Sequence, residues 1–234
     1  MTEKIVISGG SSGLGKALVE TFLRQGHDVF AFARSEEKLQ ALHQKMASCR
    51  TCGHFYFTSF DLLSGDFSSL AGKVSATLGK VTRMVNNAGM LLNKPFLETA
   101  YDEAEDLFRV NVMVLFPLIQ HLFPLMVSGT HIVNITSMGG FQGSVKFPGL
   151  SAYSASKGAL SVLTESMAAE FSEHHIFVNA LALGAVQTDM LSAAFPGYKA
   201  PLTAPEMAGF VADFTLTGNR FFNGKILPVS VSTP

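Results

Sequence analysis

Tyr153 and Lys157 stand four positions apart in Ser151-Ala152-Tyr153-Ser154-Ala155-Ser156-Lys157, a stretch that reads as helix. Residues at i and i+4 are neighbours on a helix surface, so the phenol and the ammonium face one site. A free tyrosine has a pKa of ~10, and lowering it by two to three units takes roughly 3–4 kcal/mol of preferential phenolate stabilisation. A neighbouring ammonium acts in that direction. Such a phenol can give a proton to a substrate oxygen or take one from it. Alone, the same spacing also describes a half-buried tyrosine beside a lysine that reaches to solvent. The pair gains meaning only from what it is joined to.

The second candidate lies near the start of the chain. A short apolar run, Lys4–Ser8, leads into Gly9-Gly10-Ser11-Ser12-Gly13-Leu14-Gly15 and then into a helical pattern. Glycines permit a tight turn and let backbone N–H groups approach a diphosphate, while a helix N-terminus adds positive potential. Placed between a strand and a helix, Gly9, Ser11, Ser12, Gly13, Leu14 and Gly15 read as a dinucleotide cradle.

The glycine spacing GxxxGxG resembles that of the short-chain dehydrogenase/reductase family, and further motifs follow in the same order. Asn86-Asn87-Ala88-Gly89 ends the fourth strand, Asn111 falls in the helix after it, Ser137 closes the fifth strand, and YxxxK follows. The resemblance runs from Lys4 to about Val229. It implies a nicotinamide cofactor and hydride exchange between a carbonyl and a secondary alcohol. Tyr153 is then the general acid/base, aided by Lys157 and the charge of the oxidised nicotinamide. Ser137 holds the reacting oxygen, and Asn111 holds a water that links Lys157 to solvent. Asn87, Ala88 and Gly89 line the cofactor site, as do Asp61 and Leu62 beside the adenine and Gly184, Val186 and Thr188 after the sixth strand.

Position 33 reads the cofactor type. Relatives that use NAD carry an acid there, which bonds the ribose hydroxyls and repels a 2′-phosphate. Here Ala33 is followed by Arg34, with Ser35 and Lys38 close by. A guanidinium matches phosphate geometry. NADP(H) is therefore the preferred cofactor, with NAD(H) possible. Two departures stand out. Leu183 replaces the proline usual before Gly184, which should loosen the root of the following segment. The stretch from Ser137 to Tyr153 is longer than in relatives, with the extra residues within 142–147, and Thr136 offers a competing hydroxyl.

Strand-like runs at 4–8, 28–33, 54–59, 83–86, 130–136, 176–182 and 225–229 alternate with helical patterns at 13–25, 36–47, 67–78, 102–127, 151–172 and 205–217. Strand, helix, strand repeated in this way predicts an α/β fold: a single-domain, Rossmann-like, doubly wound parallel sheet of about seven strands with helices on both faces. The whole chain, 1–234, reads as one domain with a substrate flap at about 188–205. The expected site mouth is apolar, drawing on Met138, Phe141 and Phe147 and on Met190, Leu191, Phe195 and Tyr198. A neutral ketone, aldehyde or 3-oxoacyl group suits it better than a phosphorylated sugar.

Composition narrows the classes further. Only 15% of the 234 residues are charged and the formal net charge is −1, without a clustered basic face, so no nucleic-acid partner is expected. No secretory h-region is read, and the apolar stretch 110–127 is interrupted by Asn111, Pro117, Gln120, His121 and Pro124. Neither a signal peptide nor a membrane span is expected, and the location read is cytoplasmic. The low charge and the apolar helices at 102–127 and 151–172 predict a homodimer or homotetramer packed through them. Cys49 and Cys52 have CxxC spacing but follow a helix rather than open one, so neither redox nor zinc chemistry is expected. No metal site is read. A non-catalytic NADP-binding sensor or scaffold of the same fold is the alternative, although it would need none of Asn111, Ser137, Tyr153 and Lys157. A sugar-nucleotide epimerase would need a substrate domain for which the chain is too short.

Overall fold

The computed structural model describes residues 2–49 and 51–231. Arg50 and the end of the Val231-Ser232-Thr233-Pro234 tail, where the glycine pair common in relatives is missing, lie outside them. Strands β1 (Lys4–Ser8), β2 (Asp28–Ala33), β3 (Phe55–Ser59), β4 (Val81–Asn86), β5 (Met126–Ser137), β6 (Phe177–Leu183) and β9 (Ile226–Val229) form one sheet in the order β3-β2-β1-β4-β5-β6-β9. Every pairing in it is parallel. Helices cover both faces, which is why β2 reads Asp-Val-Phe-Ala-Phe-Ala with all six residues buried rather than alternating. Ile5 and Ile7 of β1 point to one face with Leu18 and Phe22 of α1 (Gly13–Arg24), Leu39 of α2 (Glu36–Ala47) and Val211 of α8 (Ala204–Thr217). Val6 points to the other, with Leu70 of α3 (Phe67–Leu78), Leu118 and Leu160. This is a doubly wound, Rossmann-like sheet. Its strand order reverses between β1 and β4, and a ligand crevice opens beyond the strand ends there.

The long helix predicted over 102–127 is interrupted. It runs as α4 (Tyr101–Phe108), a π-helical turn (Arg109–Met113), α5 (Leu115–Leu122) and a 3₁₀ turn (Phe123–Leu125), and Met126 already begins β5. Pro117 has no N–H and its ring crowds the preceding turn, which the wider π turn relieves. Pro124 ends the helix. By length and composition Tyr101–Leu125 could cross a membrane. Here Leu107, Leu115, Leu118, Ile119 and Leu122 are buried against the rest of the fold.

The turn after α2 brings the Cα atoms of Cys49 and Cys52 to 5.5 Å, and the two are joined by a disulfide. The two cysteines are three residues apart, so the local turn alone brings the thiols together. No group of three or more His, Cys, Asp or Glu side chains among the described residues is arranged to hold a metal.

Beneath the sheet's other end, His131 is fully buried in β5. Its Nδ1 donates to the Thr215 carbonyl at 3.0 Å, and its Nε2 accepts from Asn179 Nδ2 at 2.9 Å, which fixes the neutral tautomer. Burial, with Arg83 on the neighbouring strand adding to it, pushes the His131 pKa down to about 4. The unfolded chain therefore takes up this proton near pH 6.5, while the folded chain resists until about pH 4. Stability linked to His131 is whole above pH 6.5 and falls by about 3 kcal/mol as the pH drops toward 4. Urea unfolding at pH 7.5 and 4.5 should show His131→Gln losing correspondingly less on acidification than wild type. Equal losses in the two proteins would show that the proton goes elsewhere.

Candidate active site

The glycine loop is built as its spacing requires. Gly9 has φ +73°, and a Cβ on Gly15 would fall 2.1 Å from the Gly9 carbonyl oxygen, so α1 leaves the loop at a distance only glycine allows. Ser12 caps α1 without a side-chain hydrogen bond, and the first turn carries no acid. The first N–H groups of a twelve-residue helix thus keep their capacity to bind an anion. Ser8, which sequence reasoning passed over, ties this loop to the fourth strand. Its Oγ accepts from the N–H of Asn87 at 3.1 Å and of Ala88 at 3.0 Å. Asn87 Nδ2 donates back to the carbonyls of Ser8 and Gly9. The only local hint of that role is a hydroxyl closing an apolar strand.

A cavity of about 910 Å³ follows the strand ends. It is lined by Gly9, Ser11, Ser12, Gly13, Leu14 and Gly15 from the loop, Arg34, Asp61 and Leu62 at one end, and Asn87, Ala88 and Gly89 in the middle. Ser137, Tyr153, Lys157, Gly184, Val186 and Thr188 complete it. Of the predicted catalytic and cofactor residues, Asn111 alone does not line it. Arg34 closes β2 and Ser137 closes β5, three strand spacings apart, or about 14 Å. Arg34 is exposed and makes no ion pair among the described residues. Ser35 caps α2 by accepting from the Lys38 N–H.

At the β5 end the competing hydroxyls separate. Thr136 is buried and donates to the Lys157 carbonyl at 2.8 Å, whereas Ser137 Oγ accepts from the Gly139 N–H at 3.1 Å and lines the cavity with Tyr153. Lys157 Nζ donates to the Ile135 carbonyl at 3.0 Å and lies 6.0 Å from the centre of the Tyr153 ring. With no carboxylate beside it, the ammonium is pushed down to about 8 by burial. Burial likewise pushes Tyr153 up, and the Ser137 hydroxyl pulls only partly the other way. The protein's own groups therefore keep the phenol protonated, the opposite of the lowering expected from the ammonium with an oxidised nicotinamide. A protonated phenol is the form a proton donor needs.

Asn111 sits in the π turn, buried. Its Oδ1 accepts from the Met90 N–H at 2.8 Å, and its Nδ2 donates to the Met90 carbonyl at 3.0 Å and to Ser156 Oγ at 2.9 Å. Ser156 in turn donates to the Tyr153 carbonyl. The Asn111 amide thus joins the loop after β4 to helix α6 (Ser151–Glu170), which carries Tyr153 and Lys157. Gly140 presses on the same helix, since a Cβ there would lie 2.5 Å from the Lys157 carbonyl carbon.

The 188–205 segment is more ordered than a free flap. Thr188 caps the short helix α7 (Asp189–Ala194), and β7 (Val186–Gln187) pairs with β8 (Leu202–Thr203), closing both ends of the segment. Its root is held without the proline, because the Gly184 N–H donates to the Val229 carbonyl at 2.8 Å. Asn93 Nδ2 donates to the Ala194 carbonyl and latches the segment to the opposite rim. Met138, Phe147, Met190, Leu191, Phe195 and Tyr198 line the mouth, but Phe141 does not. The 3₁₀ turn Met138–Gly140 carries it away, and the loop closes on itself through Ser144 and Lys146.

The sequence model described as short chain dehydrogenase matches residues 3–199. The chain belongs to that family. Short-chain dehydrogenases/reductases are oxidoreductases that use nicotinamide cofactors, and this member is similar to the oxidoreductase YohF of Escherichia coli, 34% identical over 81% of this chain and 75% of that one. It is also similar to an NADPH-dependent pterin aldehyde reductase of Arabidopsis thaliana, 30% identical over 86% of this chain and 82% of the other. Among solved structures it resembles a short chain dehydrogenase of Shigella flexneri complexed with NADP, with a TM-score of 0.87 and 25% identity over 97% of each chain. The glycine cradle and the uncapped start of α1 fit the diphosphate of a nicotinamide dinucleotide in this short-chain dehydrogenase.

Proposed function

We propose that this protein is an NADP(H)-preferring oxidoreductase that interconverts a carbonyl and a secondary alcohol. The observation that carries the reading is one cavity lined by Ser137, Tyr153 and Lys157 at the β5 end and by an exposed Arg34 at the end of β2, three strands away. A bound NADPH supplies a hydride to the carbonyl carbon. Ser137 and Tyr153 hold the carbonyl oxygen, and as the C=O π bond opens, the Tyr153 hydroxyl gives that oxygen its proton. Lys157, buried and fixed through Ile135, stabilises the phenolate left behind. Oxidation of an alcohol runs the same path in reverse. NADPH oxidation measured against a panel of carbonyl compounds, with NADH in parallel, tests the reading. A pairing of nucleotide binding with no turnover of any carbonyl or alcohol would favour the sensor instead.

The assembly follows from the outer surface. Phe96, Leu97 and Tyr101 before and on α4, Met113 and Phe116 beyond it, and Val162 on α6 are all exposed, and Leu97 is 96% so. Apolar surface of this kind on adjoining helices is normally covered by a partner, and a two-fold axis buries it twice. Sedimentation at micromolar concentration should show a dimer or tetramer. Val162→Glu should dissociate at least one of its interfaces. A stable wild-type monomer would defeat the expectation.

A further inference from the structure

Cations and anions are unevenly placed along the cavity. Its positive side chains are Arg34 and Lys38 at the β2 end and Lys157 at the centre. Beyond Tyr153 the lining turns to Met138, Phe147, Met190, Phe195 and Tyr198, and the one charged side chain among the lining there is the carboxylate of Asp189. The nearby lysines are directed elsewhere. Lys146 Nζ folds back on the Phe141 carbonyl at 2.6 Å and Ser144 Oγ at 2.7 Å, and Lys94 is paired with Glu103 at 2.7 Å. Lys199 is exposed on the flap and is not part of the lining. The rim is stitched to α4, because the Lys94 N–H donates to the Gly149 carbonyl while its side chain holds Glu103. That helix turns Asp102 and Glu105 to the outside, while Asp106 is paired with Arg109 at 3.5 Å.

A carboxylate or phosphate at this end would lose water without gaining a counter-ion, and would face like charge at the rim. Thioether and aromatic side chains instead suit apolar groups of varied shape. Resting on the reductase reading above, we infer that the substrate is an uncharged, apolar carbonyl compound free in solution. Acids, phosphate esters and 3-oxoacyl groups borne on a polyanionic carrier are discriminated against.

The test keeps the reacting 3-oxobutanoyl group constant and changes only the charge attached to it. NADPH oxidation is followed with ethyl acetoacetate against acetoacetate, and with the neutral thioester S-acetoacetyl-N-acetylcysteamine against acetoacetyl-coenzyme A. The neutral member of each pair should have a kcat/KM at least about 30-fold higher, mostly through KM. Raising ionic strength should narrow the gap for the coenzyme A thioester by screening the rim. Met190→Arg, which places a cation at the mouth, should bring acetoacetate within about 3-fold of its ester. Equal or faster turnover of the anions by wild type would overturn the substrate class and leave the reductase reading intact. Failure to reduce either neutral probe or either anion while NADPH binds would overturn the reductase reading and the substrate class with it.

Discussion

Tyr153→Phe should lower kcat by about 10²- to 10⁴-fold while leaving NADPH affinity within about 3-fold of wild type. The size follows from what the phenol does. Proton delivery by a positioned acid is worth that much, and the Ser137 hydroxyl that remains can hold the substrate oxygen but, as an aliphatic alcohol, is far too weak an acid to replace the phenol. The affinity should hold because the cofactor's expected contacts are spread along the cavity from Gly9 to Thr188, of which Tyr153 is one. Ser137→Ala should cost less, about 10- to 100-fold, since one hydrogen bond to a developing charge contributes about 1.5–3 kcal/mol. The measurement is single-turnover reduction with cofactor binding titrated separately. Near-normal turnover by Tyr153→Phe would remove the residue from the mechanism.

Arg34→Ala should weaken NADPH binding about 30- to 1,000-fold and leave NADH binding nearly unchanged. Losing about two charge-assisted bonds to a 2′-phosphate removes roughly 2–4 kcal/mol, and each 1.4 kcal/mol is tenfold. The backbone at this point does not depend on the guanidinium. Ser59 Oγ donates to the Arg34 carbonyl at 2.9 Å, so the strand end should stay in place when the side chain is cut back. Adding Ala33→Asp to Arg34→Ala should invert the preference, because Ala33 lines the cavity and a carboxylate there attracts ribose hydroxyls and repels phosphate. Titration of both cofactors against wild type and the two variants decides it. Equal weakening of NADPH and NADH would mean that Arg34 supports the fold rather than reading the phosphate. A wild type that favours NADH would sink the cofactor preference and leave the Tyr153–Lys157 chemistry standing.

Much of the site was legible because its signals are local. Four residues are one helical turn wherever the helix lies, so Tyr153 and Lys157 had to share a face. The Gly9–Gly15 spacing encodes a turn that only residues without a Cβ can make, and the long apolar runs of β1 and β2 announce strands covered on both faces. The parallel, doubly wound sheet follows from that alternation together with the right-handed crossover rule, while its strand order is seen only in the structure.

What the chain order alone could not decide is which partner each polar atom finds. Thr136 and Ser137 are adjacent hydroxyls, and only the pleat and the position of α6 send one to the Lys157 carbonyl and the other to the Gly139 N–H at the cavity wall. Asn111 falls in what reads as an unbroken helix. The crowding before Pro117 opens a π turn there, and Met90 and Ser156, 21 and 45 positions away, take up its amide. Ser8 and the Asn93 latch on Ala194 are of the same kind. Residue types and short-range spacing determined the nucleotide loop, the Tyr–Lys pair, the strands and thus the class of chemistry. Tertiary packing decided which partner each β5 hydroxyl finds, what holds helix α6 and where cations are kept from the mouth, because a buried polar group must pair with whatever the fold brings within about 3 Å.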